Sequence, residues 1–409
     1  MKNLLILTAA SIGTRENATA PTFWKTMDKF IEKGWSIRVI SASPKDRCRM
    51  EDRSTPGIVV ETHPVSLGKL TQIRRIGQLF YIIQCRIQFA VLRRAGERFI
   101  RENGCTAENT VLYGDDTIGV FPCKRLSRKY GMKLVTRFCG MWDMIHYPPS
   151  FGNRIRKYPS LQAYGTQADL VISTNDGTQG ETILRRAGNT SRILFWRNGV
   201  DIPPEHTETP AFFEKLPPDA PVLMTLSRLH RGKGLFRSVR AMKTVKETHP
   251  EARLVICGYG PEREALEKLV DDLNLRDAVF FTGSIPHDEV PAYLQRADIF
   301  LSFYLESNLG NPIYEAMRCG CAIVTSDVGT TRDVIRDGEN GILLSPDGLD
   351  ESIPAAICRL LDDPSERARL AAGAKQYAAE NFWTWDERTS AEEKAISELL
   401  EQAQKEAKR

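Results

Sequence analysis

Short apolar runs and helix-length segments alternate along the whole chain of 409 residues, and this alternation starts again in the second half. Apolar runs that are separated by helical segments indicate parallel strands connected by helices. One set of such runs lies between residues 4 and 195, and a second set lies between residues 222 and 344. The sequence therefore predicts an α/β protein with two tandem, Rossmann-like, doubly wound parallel-sheet domains.

Residues 202–221 separate the two sets of runs and carry six prolines, at positions 203, 204, 210, 217, 218 and 221. Because proline fixes φ and lacks an N–H donor, this stretch is interpreted as a linker between domains 1–201 and 222–383. Ligands of open α/β sheets bind at the carboxyl ends of the strands. We therefore expect an interdomain cleft that is lined by the loops after the strands.

The charge of the chain is divided in the same way as its predicted strands. Residues 1–200 hold 31 basic and 16 acidic side chains, whereas residues 201–409 hold 25 and 36. A hydrophobic content of 42% excludes a disordered chain. Nine cysteines without a C-x-x-C pair favour a reducing cytoplasm, and the short N-terminal apolar run is interpreted as a strand and not as a signal peptide. We expect a cytoplasmic protein, with the inner face of the membrane as an alternative location.

Two basic residues, Arg228 and Lys233, lie in a glycine-containing loop between a predicted strand and a predicted helix. Two cations at the N-terminus of a helix suit a diphosphate, although solvated surface charge is the alternative interpretation. Gly258 marks a second tight turn from strand to helix, which by itself is a weak signal.

The loop after the predicted strand 299–302 runs into a helix near Pro312, where a missing N–H is harmless. The backbone amides of residues 308–311 are expected to point at an anion. Glu315 falls one turn into the helix, where its carboxylate could accept two hydroxyls of a ribose. A glutamate that interacts with the helix dipole is the alternative.

These motifs resemble those of glycosyltransferase family 4, the retaining, sugar-nucleotide-dependent enzymes of GT-B fold. The resemblance covers essentially the whole second half and keeps the order and spacing of the family. The matching segments are residues 197–201 (RNGVD), 227–229 (SRL) with 233–234 (KG), 258–261 (GYGP), 281–283 (FTG), 297–298 (AD), 310 with 315–317 (G and EAM), 320 (G), 337–338 (DG) with 340–341 (NG), and 381–385 (NFWTW).

The resemblance implies a role for each matched residue. Arg228 and Lys233 would hold the donor diphosphate, Glu315 the ribose, and the backbone around Thr282 and Gly283 the base. The amides of Leu309, Gly310 and Asn311 would meet the phosphate or the donor sugar, and the C-terminal helix, residues 384–409, would pack on the first domain.

The resemblance further implies transfer of a hexosyl group from a nucleoside diphosphate sugar, with retention of configuration. The acceptor would be a polysaccharide, a glycolipid or a lipid-linked oligosaccharide. No metal is assigned, because the sequence has no D-x-D triplet. The alternatives are other GT-B chemistry, such as that of a phosphorylase or a sugar-nucleotide epimerase, and a non-catalytic sugar-nucleotide-binding subunit.

Two positions depart from the family pattern. The family carries a second glutamate eight positions before Glu315, but Ser307 stands there and Glu306 is one place off. The favoured interpretation is that Ser307 and Asn308 bind the donor sugar. Cys139 occupies the position of a family histidine, and a small core residue is favoured there over a nucleophile.

Other polar residues of the first half are candidates for acceptor binding. Asp115 and Asp116 follow a predicted strand, and they either bind acceptor hydroxyls or cap the helix that begins near residue 118. Arg137, Asp143 and His146 could help to orient the acceptor. Gly13 would permit close approach of donor phosphate or acceptor, or it is a plain turn glycine.

A long helix is predicted over residues 70–101, with an apolar stripe at residues 73, 76, 80, 83, 87 and 91. Seven basic residues surround the stripe: Lys69, Arg74, Arg75, Arg86, Arg93, Arg94 and Arg98. Such a helix either lies on an anionic bilayer or packs its stripe into the core. The basic first half suits a pyrophosphate-linked lipid acceptor. No nucleic-acid recognition motif accompanies the basic charge, so nucleic acid is not expected as a partner.

Overall fold

The computed structural model describes residues 2–10, 12, 21–43, 56–73, 76–141, 144–145, 150, 153–154 and 157–408. The chain forms two compact units. The first comprises Met1–Asn175, Gln179–Gly199 and Trp385–Arg409, and the second comprises Asp176–Thr178 and Val200–Thr384.

A seven-stranded, fully parallel sheet forms the centre of the first unit, with the order β3-β2-β1-β4-β5-β6-β7. Its strands are β1 (Lys2–Thr8), β2 (Trp35–Ser41), β3 (Ile58–Thr62), β4 (Thr110–Asp115), β5 (Leu134–Phe138), β6 (Leu170–Thr174) and β7 (Ile193–Trp196). Strands β4, β5 and β6 are buried at every residue. Helices cover both faces of such a sheet, which explains why the strands read as continuous apolar runs.

The helices of the first unit include α1 (Pro21–Glu32), α2 (Gly77–Glu102), α3 (Asp116–Tyr130), α4 (Tyr158–Tyr164), α5 (Gly180–Arg186) and, from the C-terminal end of the chain, α12 (Trp385–Ala407). Helices α1 and α12 pack on one face of the sheet around Phe30 and Ile396. Helices α2 and α3 pack on the other face around Leu92 and Leu126.

The second unit is built on a six-stranded parallel sheet with the order β10-β9-β8-β11-β12-β13. Its strands are β8 (Val222–Leu226), β9 (Arg253–Cys257), β10 (Val279–Gly283), β11 (Ile299–Ser302), β12 (Ala322–Ser326) and β13 (Ile342–Leu344). Its helices are α6 (Leu235–Thr248), α7 (Arg263–Asp272), α8 (Val290–Gln295), α9 (Asn311–Cys319), α10 (Leu349–Asp362) and α11 (Pro364–Asn381). The predicted fold class, two doubly wound parallel sheets, is confirmed.

Helix α12 is held on the first unit by a buried ionic cluster. Arg137 of β5 donates from Nη1 to both carboxylate oxygens of Glu392, at 2.7 and 2.6 Å, and the Tyr113 hydroxyl donates to the same carboxylate at 2.8 Å. Arg388 also donates to Glu392, at 2.9 Å. Burial opposes ionisation of Glu392, but the charges of Arg137 and Arg388 outweigh it and lower the pKa of the carboxyl to about 2.

This cluster corrects the prediction for Arg137. Its side chain is only 4% exposed and pairs with a helix that arrives from the C-terminal end of the chain. Arg137 therefore anchors α12 and is not available to orient an acceptor. Cys139, two residues later, is exposed, so the expectation that its thiol fills the core is wrong.

The structure of the long helix α2 contradicts the interpretation that its predicted apolar stripe packs into the core. Its buried residues include Cys85, Phe89 and Leu92, whereas the predicted stripe is largely exposed, with Ile83 and Ile87 on the outside of the helix. The stripe is therefore not the core-facing side of α2. Among the described residues, no helix combines the length and the hydropathy needed to cross a membrane.

Candidate active site

The order of the second sheet reverses between β8 and β11, which are neighbours but follow one another only after two intervening strands. At such a switch point the loops leaving the two strands diverge and make room for a ligand. Arg228 and Lys233 lie in the loop after β8, and Glu306 and Ser307 lie in the loop after β11. Strand order thus brings together the two loops that carry the strongest sequence signals.

Glycines let these loops pack against each other. Gly234 has a φ of +63°, and a Cβ at this position would overlap the carbonyl oxygen of Phe303. The Leu305 amide donates to the Gly232 carbonyl at 3.0 Å, which ties the loop after β11 to the loop after β8. Backbone packing therefore sets the distance between the two loops.

Gly258, in the loop after β9, is explained by the same kind of packing. Its φ is +137°, and a Cβ would overlap the carbonyl oxygen of Ser227. The adjacent Tyr259 carbonyl accepts from the Leu229 amide at 3.0 Å. The missing side chain of Gly258 therefore makes room for the neighbouring loop, and a contact of Gly258 with the donor stays a prediction.

Of the three residues predicted to be catalytic, Lys233 packs on Tyr304, which is only 4% exposed, and Arg228 and Glu315 influence the Tyr304 hydroxyl by their charges. The ammonium nitrogen of Lys233 lies 3.8 Å from the centroid of the Tyr304 ring. Burial raises the pKa of the Tyr304 hydroxyl, the Glu315 carboxylate adds to this rise, and the Arg228 guanidinium opposes it. Sequence reasoning missed Tyr304, although a large aromatic residue between a strand and a glycine loop is a usable signal.

The two cations of this cluster repel each other. Burial, followed by the like charge of Arg228, lowers the pKa of Lys233 to about 8, and the Asp176 carboxylate opposes this shift only in part. A bound anion would relieve both the repulsion and the desolvation. The electrostatics of the cluster therefore suit a negatively charged ligand.

The Asn308 side chain holds the loop after β11 in place by hydrogen bonds to Ser302, Tyr304 and Ser326. Its side chain is buried, and Oδ1 accepts from the Ser302 hydroxyl at 3.0 Å and from the Tyr304 amide at 2.8 Å. Nδ2 donates to the carbonyl and to the hydroxyl of Ser326, at 2.8 and 3.2 Å. Both donors and both acceptor positions of the amide are occupied. The prediction that the Asn308 side chain binds the donor sugar is therefore wrong.

The Ser307 hydroxyl, in the same loop, is also engaged in hydrogen bonds. Its buried hydroxyl donates to the Asp176 carbonyl at 2.6 Å and accepts from the Leu309 amide at 3.2 Å, and the Gly310 amide donates to the Asn308 carbonyl at 3.0 Å. The prediction that the amides of Leu309 and Gly310 await an anion does not hold here. In contrast to Ser307, Glu306 is exposed.

Helix α9 begins at Asn311, with Pro312 in its first turn as predicted. Glu315 is half-buried one turn further on, and its charge adds to the effect of burial in raising the pKa of the Cys319 thiol. At the end of β10, the Thr282 hydroxyl donates to the Gly283 carbonyl, at 2.8 Å, and that carbonyl also accepts from the Gly258 amide. A base site at Thr282 and Gly283 stays a prediction.

At the carboxyl end of the first sheet, Asp115 is buried and accepts from the Thr8 hydroxyl at 2.9 Å. Burial and the neighbouring Asp116 raise its pKa to about 6, against the influence of Arg137. Helix α3 begins at Asp116, and the Asp115 side chain makes no capping hydrogen bond to it, which contradicts the capping interpretation for Asp115. Gly13, Asp143 and His146 lie outside the described residues.

Comparisons with known proteins agree with the motifs. Residues 207–377 match the family model of the glycosyl transferases group 1. The chain is 32% identical over 190 residues to the GDP-mannose-dependent alpha-(1-6)-phosphatidylinositol monomannoside mannosyltransferase of Mycolicibacterium smegmatis, which covers 44% of this chain and 48% of that protein. It is 35% identical over 236 residues to the lipopolysaccharide core biosynthesis glycosyltransferase LpsD of Rhizobium meliloti, which covers 56% of this chain and 64% of that protein. The chain thus spans about half to two thirds of the length of these curated relatives.

Solved structures match over almost the whole chain. Sucrose-phosphate synthase from Thermosynechococcus elongatus superposes with a TM-score of 0.75 at 20% identity, over 98% of this chain and 99% of that one. Anabaena HepE in complex with UDP superposes with a TM-score of 0.69 at 18% identity, over 98% of this chain and 100% of that one. Residues 207–377 thus belong to the group 1 glycosyl transferases, glycosyltransferase family 4, and the two parallel sheets of the chain have the GT-B fold.

Proposed function

We propose that the protein transfers a hexosyl group from a nucleoside diphosphate sugar to a hydroxyl of a glycan or lipid-linked acceptor, with retention of configuration. The observation that supports this most is that the loop after β8, which carries Arg228 and Lys233, is hydrogen-bonded to the loop after β11, with the Lys233 ammonium on the buried Tyr304 ring. Two cations on one loop, and Glu315 on the helix that follows the other, offer separate contacts for a diphosphate and for ribose hydroxyls.

Arg228 and Lys233 bind the donor diphosphate and stabilise the charge that builds on it as the sugar leaves. The lowered pKa of Lys233, about 8 in the empty site, rises when the diphosphate binds. Donors that are already in place cost no reorganisation during the reaction, and losing one such partner typically costs roughly 2.7–4 kcal/mol in the transition state. These two side chains supply electrostatic stabilisation at the leaving group.

Glu315 accepts the two hydroxyls of the ribose, and the backbone at Thr282 and Gly283 lies against the base. Tyr304 acts through the other residues, because its ring supports the Lys233 ammonium at 3.8 Å. It is a positioning residue for the diphosphate contact.

Glu306 takes the donor-sugar role that the sequence suggested for Ser307 and Asn308. The side chains of Ser307 and Asn308 are buried and hydrogen-bonded to Asp176 and Ser326, whereas Glu306 is exposed next to them. A carboxylate that accepts sugar hydroxyls makes charged hydrogen bonds, each worth roughly 1.5–3 kcal/mol.

The acceptor is a lipid-linked glycan. A relative named as a phosphatidylinositol monomannoside mannosyltransferase and another named for lipopolysaccharide core biosynthesis support this choice. In the first unit, Asp115 and Asp116 contact acceptor hydroxyls at the carboxyl end of β4.

The test uses purified protein, a panel of nucleoside diphosphate sugars, and a direct measurement of donor binding and of slow donor hydrolysis. The wild type is compared with Arg228→Ala and Lys233→Ala, and Lys243→Ala, an exposed lysine of α6, is the control. We expect binding and hydrolysis with the wild type and the control but not with the two site variants. Binding of no nucleotide sugar, or equal activity in all four proteins, would overturn the proposal. A requirement for free phosphate would identify a phosphorylase instead, and release of an isomerised nucleotide sugar without hydrolysis would identify an epimerase.

A further inference from the structure

Large exposed apolar side chains are concentrated in one part of the first unit. Eight of the twelve exposed large hydrophobic residues among the described positions lie between residues 59 and 87. These eight are Val59, Leu70, Ile73, Ile76, Leu79, Tyr81, Ile83 and Ile87. Single exposed apolar residues are common on proteins, but a contiguous cluster marks an interaction surface.

Four of these residues form one stripe along the start of α2. Ile76, Leu79, Ile83 and Ile87 are spaced by three or four positions and therefore share one side of the helix. Leu79 is 58% exposed, and the core side of the same helix is formed by other residues, such as Phe89 and Leu92. We call this stripe of four residues the apolar stripe of α2. It contributes to no core cluster of the described residues.

Basic side chains adjoin the stripe. Helices α2 and α3 together carry nine basic and three acidic residues. Burial, with added repulsion from Arg128 and Arg125, lowers the pKa of Lys124, as expected where cations crowd on one surface. The surface next to the apolar stripe is therefore strongly positive.

A cavity of about 430 Å³ lies between α2, α3 and α4, and it is lined by four of these cations, Arg86, Arg93, Arg125 and Lys129, together with Glu97 and aromatic rings. Glu97 pairs with Lys129 and lies 3.8 Å from Arg93. Arg86 stacks over Tyr158 and Arg125 over Phe121, at 5.8 and 5.2 Å. No carboxylate of the described residues forms an ion pair with these two arginines, so the cavity retains net positive charge.

We infer that the apolar stripe of α2 and the basic cavity beside it dock the protein on a bilayer that contains anionic phospholipid. The stripe enters the interface between headgroups and acyl chains, and the cavity takes the phosphate of an anionic headgroup. A surface helix typically sinks about 5–10 Å into this interface, and basic residues at its edge strengthen binding to anionic lipid.

Charge complementarity selects a bilayer over a second copy of the chain. In a two-fold symmetric contact through this surface, the same patch of each copy would face the other. The nine basic residues of α2 and α3 would then lie close to nine identical charges, which is unfavourable. An anionic bilayer offers opposite charge and an apolar layer at the same time. The inference does not depend on the proposed transfer reaction, but it would bring the protein to a lipid-linked acceptor.

The test is co-sedimentation of the full chain with vesicles of phosphatidylcholine alone or mixed with phosphatidylglycerol, at low and at high salt. Three forms are compared: the wild type, a variant that combines Leu79→Ser, Ile83→Ser and Ile87→Ser, and a variant that combines Arg86→Gln and Arg125→Gln. Ile202→Ser and Lys243→Gln, at exposed positions of the second unit, are the matched controls. Melting temperatures of all proteins verify that each is folded.

We expect the wild type and both controls to bind anionic vesicles and not neutral ones, with binding weakened by salt. The two Arg substitutions should reduce the partition coefficient about 30-fold, since each Arg near an anionic surface contributes about 1 kcal/mol. The three Ser substitutions should reduce it on the order of 100-fold, even for shallow insertion.

Three results would overturn the inference. One is a folded wild type that fails to sediment with anionic vesicles at low salt. This result would count against the inference even if the wild type bound free inorganic phosphate. Another is vesicle binding by either variant at the wild-type level. The third is a wild-type dimer that becomes monomeric in the Ser variant during analytical ultracentrifugation, because a second copy would then cover the stripe.

Discussion

The two units both place basic residues at the carboxyl ends of parallel strands, yet the fate of these charges differs. In the first unit, Arg137 is buried against Glu392, and the ion pair anchors a helix. In the second unit, burial and, after it, the like charge of Arg228 lower the pKa of Lys233 to about 8. A cation at a strand end becomes structural where the fold supplies a carboxylate, and it becomes a ligand contact where the fold places a second cation beside it.

The largest expected effect tests the structural half of this comparison. Glu392→Ala removes the carboxylate that Arg137, Arg388 and Tyr113 share, and it leaves two buried cations uncompensated. Breaking a buried pair in this way costs about 3–5 kcal/mol in the free energy of unfolding. Urea denaturation measures this loss. Glu398→Ala, whose exposed carboxylate lies 4.0 Å from Arg192, is the control, and it should cost less than about 1 kcal/mol. Equal stability of both variants would contradict the anchoring role.

The second-largest expected effect tests whether the cations of the second unit contact a ligand. Arg228→Ala or Lys233→Ala should lower kcat by about 10²–10³, because each removes one fixed positive charge from the leaving group. Steady-state kinetics with the best donor of the panel provides the measurement. Stability should change less in these variants than in Glu392→Ala, because each removes a cation that burial and a like charge disfavour. If either variant lost as much stability as Glu392→Ala, its cation would have a structural role like that of Arg137, and the difference between the two units would not hold.

Glu306 and Ser307 sharpen the assignment within the loop after β11. Glu306→Gln should lower kcat/KM roughly 10–150-fold, the range that corresponds to one charged hydrogen bond of roughly 1.5–3 kcal/mol. Ser307→Ala should instead act on the loop itself and lower the melting temperature, because its hydroxyl bonds the Asp176 carbonyl and the Leu309 amide. The reverse pattern would restore the interpretation that Ser307 binds the sugar.

The smallest expected effect concerns pH. The pKa of Lys233 is about 8 in the empty site and rises when a diphosphate binds, so the contribution of its charge is fully present below about pH 8. Donor affinity should be constant below this value and fall by at most about tenfold per pH unit above it. Calorimetric titration across this range measures the slope. A Lys233→Met variant should bind weakly at every pH without this slope, and a slope that persists in it would exclude Lys233 as the titrating group.

Much of the fold could be predicted from the sequence because buried parallel strands leave a continuous apolar signal. The predicted strand 299–302 coincides with β11, and the second set of apolar runs, between residues 222 and 344, has the same limits as β8 to β13. Periodicity was less informative for α2. It identified an apolar stripe, but a helix has several sides, and only the packing of Phe89 and Leu92 shows which of them the core covers.

The loop after β11 shows why parts of the site could not be predicted. Asn308 was assigned to the donor sugar because, with Ser307, it lies where the family carries its second glutamate. Its true partners, Ser302 and Ser326, lie on two different strands and are 6 and 18 residues away. No local pattern encodes that convergence.

The sequence by itself determined the two sheets, the linker prolines and the pairing of Arg228 with Lys233 on one short loop, since each of these depends on residues that are close along the chain. Only the tertiary structure decided which cations are neutralised. The carboxylate that meets Arg137 comes from 255 residues later, whereas Lys233 lies beside Arg228 with only partial compensation by Asp176. Burial makes that difference decisive, because an ionised group that has lost its water depends on whatever charge the fold places beside it.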